Sequence, residues 1–177
     1  SKWKISGNKF LKENSPILLE WSNGENIVFK KKIEIDNKYL FKITQQVYNN
    51  SNKTIELYPY AQITRNKVPE DIQDFYISHE GFIGVFNEEL KEDDYDDIKE
   101  KKIVREASEG WLGITDKYWM TALVPKNGEN FKSTFLYKNA YKANYILNNP
   151  TIIKPSTNNS KIGFGGPGGP GGGGPPP

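Results

Sequence analysis

From Ile27 to Ile35 the chain alternates. Ile27, Phe29, Lys31, Ile33 and Ile35 fall on one side, and Val28, Lys30, Lys32 and Glu34 on the other. Successive side chains of a strand point to opposite faces, so a period of two with one apolar set predicts a strand with one face buried and one wet. Asp36-Asn37-Lys38 follows as a turn, rich in residues that tolerate tight backbone angles. Tyr39, Phe41, Ile43 and Val47 then alternate with Leu40, Lys42, Thr44 and Gln46. Pairing Ile35 with Tyr39 sets the expected hairpin register, with Ile33 beside Phe41 and Phe29 beside Gln45.

The same period continues. After a turn at Asn49-Asn50-Ser51-Asn52-Lys53, the set Ile55, Leu57, Pro59, Ala61 and Ile63 alternates with Glu56, Tyr58, Tyr60, Gln62 and Thr64. This predicts a third strand and a three-stranded meander. Pro59 has no N–H to give a ladder, which puts that strand at an edge or bulges it there. Asn66 to Asp74 reads as a loop. Phe75 to Asn87 reads as two short strands, or one kinked strand, bent at His79-Glu80-Gly81. Further strands are predicted at Ile103–Ala107, Trp111–Thr115, Trp119–Val124, Phe131–Tyr137 and Tyr141–Leu147, with a turn at Asn127-Gly128. Thr151-Ile152-Ile153, between Pro150 and Pro155, reads as a short edge strand. Many short strands joined by short turns imply an all-β, antiparallel β-sandwich. Only Glu88–Glu100 is a candidate for one short helix, and otherwise it reads as a solvated loop.

Composition narrows the chemistry. The 177 residues include no Cys and a single His, which excludes disulfides, thiolate nucleophiles, Cys-based metal sites and multi-histidine metal centres. Net charge is +2, so no polyanionic partner is implied. The basic residues are 22 Lys with only Arg65 and Arg105, a poor supply of the forks that read base edges, so no nucleic-acid partner is expected. No apolar run approaches the ~18 residues of a spanning helix. The chain opens Ser1-Lys2-Trp3-Lys4, with no start Met and no apolar signal segment, as an excised piece would. Nine of the 16 Gly and five of the 11 Pro lie in Gly163 to Pro177. Residues 1–162 therefore read as one sandwich domain and 163–177 as a Gly/Pro-rich, non-native tail.

Each candidate site has a plain structural alternative. His79 beside Glu80 is a possible acid–base pair, but neighbours on a strand face opposite ways, and a turn pair beside a glycine is the simpler reading. The acids Glu88, Glu89, Glu92, Asp93, Asp94, Asp96, Asp97 and Glu100 suit calcium by composition but lack EF-hand spacing. Lys30-Lys31-Lys32, with Lys38 and Lys42, are set either to meet anionic head groups or simply to solubilise and protect an edge. Lys31 lies on the hairpin's inner face near a strand end, so Lys30, Lys31 and Lys32 do not form one patch. The Asn-x-Ser/Thr triplets that begin at Asn49 and Asn52 carry little weight in an Asn-rich chain. Tyr and Trp on a β-surface can anchor a peptide or stack on a sugar. Tyr58 and Tyr60 share the polar face of their strand. With Trp111 and Tyr118 they are the candidate partner-binding residues. Trp111 and Trp119, in apolar strands, are also candidates for the core. No catalytic motif stands out, and no catalytic, metal or cofactor-binding residue is expected.

Taken in order, several segments resemble the large periplasmic domain of the YidC membrane-protein insertase family. They are Asp36-Asn37-Lys38-Tyr39-Leu40-Phe41, then Leu57-Tyr58-Pro59-Tyr60-Ala61, then His79-Glu80-Gly81-Phe82-Ile83-Gly84-Val85. Gly110-Trp111-Leu112-Gly113-Ile114-Thr115-Asp116-Lys117-Tyr118-Trp119 and Trp119-Met120-Thr121-Ala122-Leu123-Val124-Pro125 complete the pattern. The resemblance extends over roughly Trp3 to Pro155. It implies a β-supersandwich similar to galactose mutarotase, in the periplasmic part of a bacterial inner-membrane protein. It implies a non-enzymatic role in membrane-protein insertion, with the Sec translocon and its SecD and SecF partners, and nascent membrane proteins, as the partners. It also implies that the membrane-embedded helices, the signal anchor and the first strands of the domain lie outside this sequence. A sandwich cut there is expected to expose a strand edge, self-associate or belong to something larger, with the tail along that edge or in an aromatic groove. The competing reading is a carbohydrate-binding or mutarotase-like sandwich protein.

Overall fold

The computed structural model describes residues 2–67 and 79–156, and the backbone of 162–165. Most of the loop read at Asn66–Asp74, the start of the Phe75–Asn87 segment and the tail beyond Gly165 lie outside the described residues. The described residues are all-β and antiparallel, with one short helix. It divides into two compact units, one of residues up to Leu57 and from Thr151 on, the other Tyr58–Pro150.

In the first unit, β1 (Lys4–Lys12), β2 (Ser15–Ser22), β3 (Ile27–Ile35) and β4 (Phe41–Asn49) form an up-and-down meander. The backbone of Ile162–Gly165 pairs with the free side of β4. β5 (Ile55–Leu57) pairs instead with Thr151–Ile153, which is the short strand expected between the two prolines. Ile27, Val47 and Ile153 form this unit's core, with Phe29, Ile55 and Leu57 packed against it. Asn49 ties the pieces together. Its Nδ2 donates to the carbonyls of Lys53 (2.7 Å) and Ile153 (2.9 Å), and its Oδ1 accepts from the Ser51 amide and hydroxyl. At 1 % exposure, this Asn is a structural residue and no acceptor for a glycan.

Three expectations are corrected here. The β3–β4 register is displaced by two residues, with Ile35 opposite Phe41, Ile33 opposite Ile43 and Phe29 opposite Val47. The cause is a longer turn. Asp36 Oδ1 accepts from the amides of Lys38 (2.8 Å) and Leu40 (2.9 Å), and Tyr39 takes a left-handed φ of 61°. A shift of two keeps every side chain on its expected face. Second, β4 does not continue into a third meander strand, because β5 turns away to pair with Thr151–Ile153. The meander is instead completed on the other side by β1 and β2, which sequence patterning did not mark. Third, Glu89–Asp93 is not a solvated loop but a strand, as the second unit shows.

That unit is a sandwich of two four-stranded sheets. β6 (Tyr60–Arg65) belongs to one sheet. β7 (Gly81–Phe86) and β8 (Glu89–Asp93) are a hairpin of the other. After α1 (Tyr95–Glu100) come β9 (Ile103–Ala107), β10 (Gly110–Thr115), β11 (Met120–Leu123), β12 (Phe131–Tyr137) and β13 (Tyr141–Leu147). The sheet orders are β11-β10-β7-β8 and β6-β13-β12-β9. Between them lie Phe82, Phe86, Leu112 and Ile114 from the first sheet and Phe131, Phe135, Ala143 and Tyr145 from the second. Tyr95 and Ile98 bring the buried stripe of α1 into the same core. The Phe82 and Phe135 rings lie 4.9 Å apart, within the range where tilted aromatic pairs add to simple burial.

Candidate partner-binding surface

All four candidate residues belong to the second unit. Pro59 breaks the chain between β5 and β6, as a residue without an amide must, and its carbonyl accepts from Leu147 N (3.0 Å). The break leaves Tyr58 and Tyr60 about half exposed. Tyr60 starts the outward-facing row of β6. Its hydroxyl donates to Gln62 Oε1 (2.6 Å), and Gln62 Nε2 donates to Thr64 Oγ1 (2.9 Å). Ile146 lies opposite Tyr60 on β13 and is also exposed. Partial burial raises the Tyr60 phenol above its ordinary value.

Trp111 is half-buried on β10 and lies outside the core cluster. Leu112 and Ile114 take the inward positions, and Trp111 alternates to the outer face. There it shares a cross-strand row with Val85 and Leu90. Tyr118 lies at the tip of the β10–β11 hairpin. The Asp116 amide donates to Trp119 O (2.8 Å), and Trp119 N returns a bond to Asp116 O (3.3 Å), so Lys117 and Tyr118 form a two-residue loop. Lys117 Nζ lies 5.2 Å from the Tyr118 ring centre.

Trp119 corrects the expectation of a core residue, for it is 81 % exposed beside Tyr118 and Met120. The strand begins at Met120 and not at Trp119, because the two-residue turn ends on Trp119. Asp116-Lys117 is the local turn signal at this position. The hairpin's base is half-buried and polar. Asp116 Oδ1 accepts from the Tyr95 hydroxyl (2.8 Å) and Oδ2 from Arg65 Nη1 (2.6 Å). No ring of Tyr58, Tyr60, Trp111 and Tyr118 stacks on another among the described residues. The surface is therefore two separate features, a Tyr pair at the start of β6 and an aromatic hairpin tip, with Trp111 in a sheet face.

The other candidates are structural. His79 Nε2 lies 2.8 Å from the Phe82 carbonyl, which ties the ring to the entry of β7, and Nδ1 lies 3.5 Å from Asp94 Oδ1. In the acidic segment, Asp93 forms a bidentate pair with Arg105 (2.7 and 2.9 Å) in mostly buried surroundings. The guanidinium also lies over the Phe86 and Phe135 rings. Among the described residues no group of three or more His, Asp or Glu is placed to hold a metal ion. Lys30 pairs with Glu20 (3.0 Å) and Lys32 with Glu34 (2.6 Å), while Lys31 Nζ lies 4.6 Å from the Trp3 ring on the opposite face. The three lysines thus do not act as one patch.

A family model described as the YidC periplasmic domain matches residues 1–164. The chain is 44 % identical over 155 residues to the membrane protein insertase YidC of Pelagibacter ubique, covering 88 % of this chain and 28 % of that protein. It is 37 % identical over 145 residues to the YidC of Jannaschia sp., with 76 % of this chain and 23 % of that protein covered. Against the YidC of Brucella suis the identity is 34 % over 159 residues, with 86 % of this chain and 26 % of that protein. The chain thus spans about a quarter of the length of these relatives. A family-model match over residues 1–164, with relatives of this identity, makes this chain a member of the YidC periplasmic domain family.

Proposed function

We propose that this chain is the non-catalytic periplasmic docking module of a YidC-type insertase, serving membrane-protein insertion by holding partners or substrate segments. The observation that carries this reading is the family match across residues 1–164. The local chemistry supports it. The single histidine is engaged in a turn, and the exposed aromatics Tyr58, Tyr60 and Tyr118, with half-buried Trp111, offer anchors of the kind that dominate protein contacts. The partners proposed are the Sec translocon with SecD and SecF, and nascent membrane proteins.

The test is site-specific photo-crosslinking in cells. A photoreactive phenylalanine at 58, 60, 111 or 118 of the intact insertase captures a Sec component or a nascent chain. Probes at outward positions outside this set, such as Glu106, do not. Equal capture from all positions, or none from any, would refute the docking surface.

A further inference from the structure

The β3–β4 hairpin of the first unit ends in three apolar side chains that face water. Tyr39 is 81 % exposed, and Leu40 and Phe41 are each about half exposed. Lys38 and Lys42 flank them and are exposed too. The meander brings a second element to the same end. Ile17 pairs with Ile33, so Ser15 at the start of β2 lies at the end where β3 finishes. Lys12 pairs with Ser15. The β1–β2 and β3–β4 turns therefore share one end of the sheet. Between Gly7 and Lys12 the pairing is interrupted, and Phe10, in that irregular stretch, is 76 % exposed. Lys9 and Lys12 beside it are exposed as well.

We propose that this end of the meander is a docking site for the surface of an anionic phospholipid bilayer, with Tyr39, Leu40, Phe41 and Phe10 entering the head-group boundary and the four lysines meeting the phosphates. Three observations argue for lipid. The apolar groups lie in or beside the two hairpin turns at this end and are each about half exposed or more, and a fluid interface accepts such a tip without a matching shape. The charges at this end complement an anionic surface, since the four lysines outnumber the three acids there, Glu13, Glu34 and Asp36, and Glu34 is already paired with Lys32. Asp36 is moreover occupied, its Oδ1 bonding the amides of Lys38 and Leu40. Finally, Tyr39 stands in the left-handed region, where Gly or Asn is the easier choice. The chain keeps an aromatic where both the backbone and water disfavour it, and aromatic rings with a polar end favour the membrane interface. The inference goes beyond the docking role proposed above and stands on the chemistry of this end alone.

Flotation with lipid vesicles tests it. The 177-residue chain is expected to float with vesicles of phosphatidylglycerol and phosphatidylethanolamine, weakly or not at all with pure phosphatidylcholine, and less as salt rises. The triple substitution Tyr39→Ser, Leu40→Ser, Phe41→Ser is expected to lower the bound fraction at least about tenfold, since three apolar contacts are lost. The pair Lys38→Glu, Lys42→Glu should do the same by charge alone, with an unaltered thermal melt. This second variant and Phe10→Ser keep the proposal testable if the triple variant misfolds. Absence of flotation with anionic vesicles, or flotation that these variants leave intact, overturns it. So does a tip variant that alters only the self-association of the chain, which would make this end a contact between copies.

Discussion

The Tyr95 hydroxyl on α1 donates to Asp116 Oδ1 at the base of the β10–β11 hairpin, over 2.8 Å, and thereby links the only helix among the described residues to the most exposed aromatic tip of its unit. Arg65, at the end of β6, holds the other carboxylate oxygen. Three elements distant in sequence thus meet on one carboxylate. Asp116→Ala leaves a largely buried guanidinium and a buried phenol without their partner. It is expected to lower stability by roughly 2–3 kcal/mol, as is typical for a lost charged hydrogen bond in partly buried surroundings. Tyr95→Phe, which removes one neutral donor and leaves the ion pair, should cost only about 1 kcal/mol. Urea unfolding of the two variants side by side measures the difference, and an equal loss in both would show that the ion pair adds nothing.

The same contact predicts how stability depends on alkali. Burial pushes the Tyr95 phenol well above its ordinary value, and the hydrogen bond to Asp116 and that residue's charge raise it further. Burial likewise raises Tyr145 and Tyr141. In the folded chain these phenols hold their protons to higher pH than in the unfolded chain, where they ionise near pH 10. The stability they contribute is therefore complete below about pH 10 and is lost as pH rises from there toward the folded-state values. Unfolding free energy measured from pH 9 to pH 11 should fall, and Tyr95→Phe should make the fall shallower. An identical alkaline slope in that variant would contradict the assignment.

Much of this architecture was legible in the alternation of side chains. β9, β12, β13 and Thr151–Ile153 begin and end where the pattern placed them, because each buries one face against a core and exposes the other. β1 escaped notice because its sequence, Lys-Ile-Ser-Gly-Asn-Lys-Phe-Leu-Lys, has no alternating apolar face, and all but one of its residues are exposed. β8 was obscured by its acids, whose strand geometry depends on pairing with β7 and on the Asp93–Arg105 bond. Both are long-range, and local composition does not encode them. Turn length was equally hidden, since the β3–β4 register depends on which amides the Asp36 carboxylate takes. At the candidate surface Tyr60 is exposed on the polar side of β6, as the alternation has it, whereas Tyr58 lies in no strand and is exposed at the Pro59 break. The exposure of Trp119 did not, because a one-residue change in where the hairpin turn ends decides whether that ring faces core or water.

Gly110 is where backbone geometry leaves the least freedom. Its φ is 128°, and a Cβ placed there would run into the Val85 carbonyl across the β10–β7 ladder. Gly128, in the turn before β12, also has a positive φ, of 79°, but a Cβ there has nothing within 4 Å. The two positions share the backbone penalty and differ in the collision. Gly128→Ala should therefore cost only about 1 kcal/mol, the price of a left-handed alanine. Gly110→Ala must in addition push β7 and β10 apart beside Phe86 and Leu112 in the core, for a loss of about 3 kcal/mol or more. Thermal melts of the two variants separate these contributions. Because Trp111 follows Gly110 directly, the larger loss should come with a change in tryptophan fluorescence that Gly128→Ala does not produce. Equal melting temperatures would show that the ladder at Val85 yields to a methyl group without strain.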